Sequence, residues 1–156
     1  MSHAKTNVQM IKELAKDEKS YRDITRSWFE HSSIIELFRQ LSQHKVRIIL
    51  TTDHGSIRVT NPVKVIGDRQ TSTNIRYKQG KDLNYPAKKV FEVLYPEKAG
   101  LPRSNIVSTY IFALGDDFFV YPNDYHHYVN YYKDTFQHGG ISLEELLIPF
   151  IEMKTR

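Results

Sequence analysis

The chain has 156 residues, 40% of them hydrophobic, and a formal net charge of +4. This length can bury a sizeable core but has room for only about one domain. No cysteine is present, which excludes disulfides and thiolate metal sites, and no apolar run reaches the roughly 20 residues of a membrane-spanning helix. We therefore expect a single globular, cytoplasmic unit without a membrane anchor.

The N-terminal third predicts three helices followed by a strand. Apolar residues at helical spacing indicate a first helix around residues 8–15, and Ser20 is expected to cap a second. A capping box that starts at Ser33 opens a third helix, which runs through Gln43. The short β-branched run 46–50 is typical of a strand that is buried on both faces.

Short strands and loops are expected after Gly55. The alternating and apolar runs predict strands at residues 57–60, 63–66, 90–94, 107–114 and 118–121. The last two are expected to form a hairpin around Gly115. The polar and basic segment 67–83 is expected to be mostly a loop, strand-like only at 74–78. Tyrosines three or four positions apart predict a helix over 123–135.

The order of these elements indicates the fold class. A second capping box at Ser142 should introduce a short helical turn and a final strand. Helix, strand, loop, strands, helix and strand in this order favour an α/β fold, with a central sheet flanked by helices. The strand at 46–50 needs cover on both faces, and the N-terminal helices can supply only part of it.

Two polar motifs carry the chemistry of the chain. Asp53 and His54 directly follow the strand at 46–50, and His138 precedes two glycines that admit close backbone approach. Strand ends in open α/β sheets are common ligand sites. Carboxylate and imidazole groups are donors that suit zinc or a similar divalent ion. An Asp-His pair on its own is also compatible with an ordinary hydrogen-bonded turn.

Positive charge is concentrated in the middle of the chain. Between Arg58 and Arg103 there are ten Lys or Arg residues against four Asp or Glu. This balance favours an anionic partner, because Arg grips a phosphate through two parallel hydrogen bonds and Lys acts as a point charge. The candidates for substrate contact are Arg69, Arg76, Lys78 and Lys81. Arg69 is the first choice, and a solvated loop is the alternative.

The tyrosines of the predicted helix have two interpretations. They form a stripe three or four positions apart, which favours packing, and comprise Tyr121, Tyr125, Tyr128 and Tyr132. A platform on which bases stack is the less favoured alternative.

These motifs together resemble the C-terminal half of a PglZ domain, a branch of the alkaline phosphatase superfamily. Among PglZ domains, the chain is most similar to the output domain of PorX-type response regulators of Bacteroidetes. The resemblance covers essentially the whole chain and rests mainly on residues 51–55, 136–145 and 148–150. Each motif is weak alone, and their order and spacing make the set specific.

The resemblance implies a phosphohydrolase site with two metal ions, usually zinc. Asp53 and His54 match the pair that binds the metal beside the nucleophile. His138 matches the histidine of the other metal, and His3 matches the histidine of an Asp-x-x-x-His pair that serves the same ion. Two divalent ions can stabilise both the attacking and the leaving oxygen of a phosphoryl transfer. The carboxylate and the histidines are therefore expected to converge on one cation cluster.

The same resemblance places the nucleophilic threonine, and the aspartate partner of His3, before Met1. The chain is therefore expected to be the C-terminal portion of a PglZ domain, over residues 1–156, without the nucleophile or a receiver domain. No catalytic residue is assigned within it. Weak metal affinity and no turnover are expected of the chain by itself.

The expected function of the parent protein is a zinc-dependent phosphodiesterase-type output domain of a two-component response regulator. It would act on nucleotides or oligonucleotides and take part in the control of type IX secretion. The alternative is a regulatory module that binds a partner signalling protein or a nucleotide without turnover. No membrane partner is expected, and a homodimer is left open.

Overall fold

The structure is a computed structural model that describes residues 14–68, 71–102 and 107–154. The expected first helix at 8–15 lies almost entirely outside these residues, as do the predicted site residues His3 and Arg69. Contacts divide the chain into two compact units. The terminal unit comprises residues up to Gly55 and from Leu147 onward, and the central unit comprises Ser56–Leu146.

Four α-helices and nine strands lie within the described residues. The helices are α1 Glu18–Glu30, α2 Ser33–Leu41, α3 Tyr125–Tyr132 and α4 Leu143–Leu146. The strands are β1 Arg47–Thr51, β2 Ile57–Val59, β3 Asn61–Lys64, β4 Tyr77–Gly80, β5 Val90–Val93, β6 Thr109–Ala113, β7 Asp117–Val120, β8 Thr135–Gln137 and β9 Phe150–Lys154. Most of these elements lie within a few residues of their predicted positions.

Helix α1 in the terminal unit begins with a capping box. The N-cap is Asp17, whose side chain accepts a 2.7 Å hydrogen bond from the backbone N–H of Ser20. In return, the Ser20 hydroxyl accepts from the Asp17 N–H at 3.0 Å. Ser20 therefore lies at the third helical position, and the prediction that Ser20 is the cap is wrong.

Helix α2 lacks the capping box that the sequence predicts. Its N-cap is Ser32, which makes no side-chain capping bond, so the helix begins at Ser33 without one. Ile34 and Phe38 lie on its half-buried face, and charged side chains lie on the other. Amphipathic packing, rather than a cap, is the main source of stability of this helix.

A two-stranded antiparallel sheet completes the terminal unit. Strands β1 and β9 pair along their full lengths, with Leu50 opposite Ile151. Residues alternate between exposed and half-buried along β1, and Ile49 remains 49% exposed. The prediction of a strand buried on both faces is therefore wrong for the described residues.

The strands form four small sheets. β1 pairs with β9, β2 with β8 and β3 with β7, while β6 lies between β4 and β5. Among the strands of the described residues, the β3 and β7 pair is parallel and the other pairs are antiparallel. The fold is mixed α/β, in agreement with the predicted class. The finer expectation of a central sheet flanked by helices is not confirmed in the part of the chain that the structure describes.

The predicted hairpin between β6 and β7 is wrong, because the segment 75–76 separates the two strands. The N–H of Ala113, in β6, donates to the carbonyl of Arg76 at 2.9 Å. The N–H of Phe119, in β7, donates to the carbonyl of Ile75 at 2.7 Å. Each strand therefore donates a backbone hydrogen bond to a carbonyl of this intervening segment, and the two strands enter different sheets.

Two apolar clusters form the core of the central unit. One contains buried residues of β3, β5, β6 and β7, including Val63 and Ile111. The other contains Val59 and Phe118, against which Tyr125 and Tyr132 of α3 pack. The packing interpretation of these two tyrosines is therefore confirmed.

Candidate functional site

The turn after β1 carries Asp53 and His54 in the terminal unit. The hydroxyl of Thr51 donates to the carbonyl of Pro149 at 2.7 Å, which joins the end of β1 to the segment before β9. The hydroxyl of Thr52 donates to the carbonyl of His54 at 3.1 Å. Both threonine hydroxyls therefore stabilise the backbone that presents the Asp-His pair.

The imidazole of His54 is oriented by its own turn. Its Nδ1 lies 2.7 Å from the carbonyl oxygen of Gly55, and because a carbonyl only accepts, Nδ1 carries the proton. In the neutral ring Nε2 then holds the lone pair, and Nε2 lies 3.7 Å from the Asp53 carboxylate. An imidazole fixed through one nitrogen, with a carboxylate beside the other, suits a divalent metal such as zinc. This turn therefore supplies two donors of the kind that the implied zinc ion uses.

The loop after β8, in the central unit, carries His138 and requires glycine at the next position. Gly139 has a φ of 101°, in the left-handed region. A Cβ atom there would lie 2.7 Å from the side-chain nitrogen of Asn74. The same nitrogen donates to the carbonyl of His138 at 3.4 Å. The Asn74 carboxamide therefore packs directly on the backbone that carries the histidine.

Gly140 lies equally close to a second side chain, that of Glu145. Its N–H donates to Glu145 Oε1 at 2.8 Å, and a Cβ atom would lie 2.5 Å from Oε2. The N–H of Ser142 donates to the same Oε2 at 3.2 Å. This is the carboxylate half of the predicted capping box, but the buried Ser142 hydroxyl makes no hydrogen bond among the described residues. Glu145 therefore holds the loop from Gly140 to Ser142.

Glu145 is also paired with Arg76 in the interior of the central unit. Arg76 Nε lies 3.0 Å from Oε1 and Nη2 lies 2.8 Å from Oε2, and the two side chains are 0% and 1% exposed. The guanidinium also donates to the carbonyls of Gly115 and Asp117. Burial alone would raise the pKa of Glu145, but the hydrogen bonds from Arg76, Gly140 and Ser142 outweigh it and lower that pKa below its ordinary value. The Glu145 carboxylate is therefore ionised at neutral pH.

The structure gives the predicted phosphate-binding residues different surroundings. Lys81 is exposed just after β4, and Arg69 lies outside the described residues. Arg76 and Lys78, which were expected to contact the substrate, are buried. Because its guanidinium is occupied by Glu145 and two backbone carbonyls, we assign Arg76 a structural role in place of a substrate contact.

Lys78 lies in β4 with 1% of its surface exposed. Its ammonium donates to the carbonyl of Ser72 at 2.9 Å and lies 4.5 Å from the centre of the Tyr121 ring. Burial lowers the pKa of this lysine to about 8. The sequence gives no signal for this environment, since a lysine in a polar run is usually solvated.

Asp53 and His54 belong to the terminal unit and His138 to the central unit. Across residues 14–68, 71–102 and 107–154, no group of three or more His, Asp or Glu side chains is placed to hold a metal ion. Over the same residues, no helix is long and apolar enough to cross a membrane.

The sequence prediction missed Asn74 and Glu145 as supports of the loop that carries His138. The capping box indicated only the contact between the Glu145 carboxylate and the N–H of Ser142.

Comparison with protein families supports the motif-based resemblance. The family model of the BREX system PglZ alkaline phosphatase-like domain matches residues 1–153. The chain belongs to the PglZ family. A comparison with curated proteins finds no match. Membership in the PglZ family indicates a phosphoesterase-like fold from a superfamily that usually depends on metal ions, and it confirms the PglZ part of the resemblance.

Proposed function

We propose that this chain supplies metal ligands to a PglZ phosphoesterase, and that those ligands are Asp53, His54, His138 and His3. The observation that carries the proposal is the 2.7 Å contact between His54 Nδ1 and the Gly55 carbonyl. It fixes the tautomer in which Nε2 can bind a cation, on the side of the ring where Asp53 lies.

Zinc is the ion we propose, because neutral imidazole and carboxylate are its usual donors when no thiolate is present. A pair of such ions, when bound, stabilises the attacking and leaving oxygens of a phosphoryl transfer. The residues of this chain orient the donors. The Gly55 carbonyl holds the His54 ring, while Asn74 and Glu145 hold the loop that carries His138.

The proposed substrate is a phosphodiester of the nucleotide or oligonucleotide class. The excess of positive charge between Arg58 and Arg103 supports an anionic substrate, and Arg69 and Lys81 remain the proposed phosphate contacts. From the resemblance to PorX-type regulators, we further propose a cytoplasmic output domain of a two-component system that is linked to type IX secretion. We also propose that this domain binds partner signalling proteins and can form a homodimer.

Zinc binding to the 156-residue chain tests the ligand assignment. Zinc is titrated into the metal-free protein by calorimetry, with His54→Ala and His138→Ala as variants and with exposed His44→Ala as the matched control. Each ligand variant is expected to weaken zinc binding by at least about tenfold, because even outer-shell changes cost that much. The control should match the parent protein. Equal affinities in all four proteins would reject the assignment.

Turnover separates the enzyme from a regulatory module. Hydrolysis of bis(4-nitrophenyl) phosphate is measured with and without zinc. From this chain alone we expect none, because none of its residues matches the family's nucleophile. Robust zinc-dependent hydrolysis by the 156 residues would overturn that expectation and would favour the enzyme. Nucleotide binding that shifts resonances of the Asp53–His54 turn and needs no zinc would favour the module.

A further inference from the structure

A pocket of about 400 Å3 lies within the central unit. Its walls are largely apolar and aromatic, and they include Ile75, Phe119, Tyr121, Tyr128 and Tyr132. Small-molecule sites usually have volumes of roughly 300–1,000 Å3 and mostly apolar linings with a few polar groups. The pocket therefore has the size and lining of a site for a small organic ligand.

Lys78 provides the charge of this pocket. Among the described residues that line it, Lys78 is the charged side chain, and none is Asp or Glu. Its ammonium group has three N–H donors. One hydrogen bond goes to the Ser72 carbonyl, and the Tyr121 ring faces the group at 4.5 Å. An anionic group in the pocket would therefore find a donor on Lys78.

The electrostatics of Lys78 favour an anion. Burial is the cause of its lowered pKa, and no carboxylate among the described residues offsets that burial. Burial is the main cause that raises the pKa of the neighbouring Tyr121, and the carboxylate of Asp68 raises it further. Buried cations are usually paired with an opposite charge, since desolvation is unfavourable to an isolated one. An anionic ligand would supply the opposite charge.

The aromatic wall is suited to a flat ring. The rings of Tyr128 and Tyr132 are stacked with centroids 6.2 Å apart and an interplanar angle of 16°. Tyr128 is 41% exposed, whereas Tyr132 is half-buried, so the wall extends from the surface toward the interior. Aromatic groups stack favourably at centroid separations of about 4.5–7 Å.

We propose that this pocket binds a small aromatic anion, with its ring against Tyr128 and Tyr132 and its acidic group at the Lys78 ammonium. Nucleotides and aromatic carboxylates share this chemistry. The proposal does not depend on metal binding, since neither Asp53, His54 nor His138 is among the described residues that line the pocket.

Binding is tested with the full chain in buffer that contains EDTA, so that no divalent metal ion is bound to the protein. Adenosine 5′-monophosphate and 1-naphthoate are titrated and followed by amide chemical shifts, with adenosine and 1-naphthalenemethanol as uncharged analogues. We expect the anions to bind at least about tenfold more tightly than their uncharged analogues, because a hydrogen bond to a charged group is the stronger kind.

Variants test the two parts of the pocket separately. Lys78→Met is expected to weaken binding of the anions by about tenfold or more, and exposed Lys88→Met is expected to leave it unchanged. Tyr128→Leu should weaken binding, while Tyr95→Leu, at a 57% exposed position outside the pocket, should have no effect. If Lys78→Met does not fold, Tyr128→Leu and Lys78→Arg replace it, and Lys78→Arg should retain binding.

The outcomes distinguish the source of the ligand. Binding of the nucleotide alone identifies a nucleotide site, and binding of the naphthoate alone identifies a carboxylate site. The proposal is overturned if neither anion shifts pocket resonances, or if Lys78→Met and Lys88→Met bind equally well. Because EDTA is present throughout, such a failure leaves the zinc assignment unaffected.

Discussion

Arg76 and Glu145 form a two-point ion pair that connects backbone segments 69 positions apart in the sequence. On one side, the guanidinium binds the carbonyls of Gly115 and Asp117 at the turn between β6 and β7. On the other, the carboxylate accepts from the N–H of Gly140, two residues after His138. One buried pair therefore fixes both the turn and the loop that carries a proposed metal ligand.

Glu145→Gln is expected to destabilise the protein severely. The variant leaves the Arg76 guanidinium buried without an opposite charge, and breaking one partner of a buried pair costs about 3–5 kcal/mol. Chemical denaturation measures this loss in the free energy of unfolding. The control is Glu30→Gln, which breaks an exposed helical pair with Arg26 and should leave stability unchanged within error.

A double variant tests whether the interaction between Arg76 and Glu145 itself stabilises the protein. Arg76→Met combined with Glu145→Leu removes both charges, so neither is left uncompensated. We expect the double variant to lose clearly less free energy of unfolding than the sum of the losses for Arg76→Met and Glu145→Leu measured separately. Strictly additive losses would mean that the two side chains do not stabilise each other.

The lowered pKa of Lys78 predicts a rise in stability in mildly alkaline solution. Between about pH 8 and the ordinary value of 10.5, the unfolded chain keeps the proton that the folded protein has lost. The free energy of unfolding therefore rises with pH from about pH 8 to about pH 10, by about 2 kcal/mol. Above pH 10 the trend reverses, because Tyr85, whose pKa is raised to about 12, keeps its proton only in the folded state.

Urea denaturation at intervals from pH 7.5 to 9.5 tests this prediction. Lys78→Met should remove the rise, and Lys88→Met, at an exposed position, should preserve it. If Lys78→Met retains the slope of the parent protein, another group causes it, and the burial of Lys78 does not govern the alkaline stability.

Local patterns in the sequence predicted individual elements well. The tyrosine spacing predicted α3, and the alternating runs predicted β5 and β6 within two residues at each end. The polar turn after β1 was also predicted, because an apolar run that stops at Asp53 marks a strand end. These features depend on neighbours in the sequence, which is why the sequence was sufficient for them.

Non-local pairings could not be predicted from such patterns. Nothing near β6 or β7 indicates that segment 75–76 would separate them. The burial of Arg76 and Lys78 likewise depends on distant partners, a carboxylate at Glu145 and an aromatic ring at Tyr121. The polar and basic composition of segment 67–83 therefore predicts a loop that is strand-like only at 74–78, and it gives no sign that these two side chains are buried.

Gly139→Ala is expected to cost more stability than Gly100→Ala. Both glycines have positive φ values, of 101° and 69°, so each alanine carries backbone strain of about 1–2 kcal/mol. A Cβ at Gly100 meets nothing within 4 Å, but at Gly139 it would overlap the Asn74 side chain. That side chain cannot easily move, because its oxygen accepts from the N–H of Arg76 at 2.7 Å.

Thermal unfolding compares the two alanine variants with the parent protein. Combining Gly139→Ala with Asn74→Ala separates the overlap from the strain, since removing the carboxamide removes only the overlap. We expect the second substitution to cost less in the Gly139→Ala background than alone. Equal melting temperatures for Gly139→Ala and Gly100→Ala would contradict a close contact at Asn74.

The tautomer of His54 can be read directly by NMR. In alkaline, metal-free buffer, long-range 15N correlations should show a protonated Nδ1 and an unprotonated Nε2, because Nδ1 donates to Gly55. Exposed His44 serves as the reference for a ring in solvent. Added zinc should shift the Nε2 resonance of His54 while Nδ1 stays protonated, and EDTA should restore the original spectrum. A ring protonated at Nε2 would leave no lone pair beside Asp53, and the assignment of this pair as metal ligands would then fail.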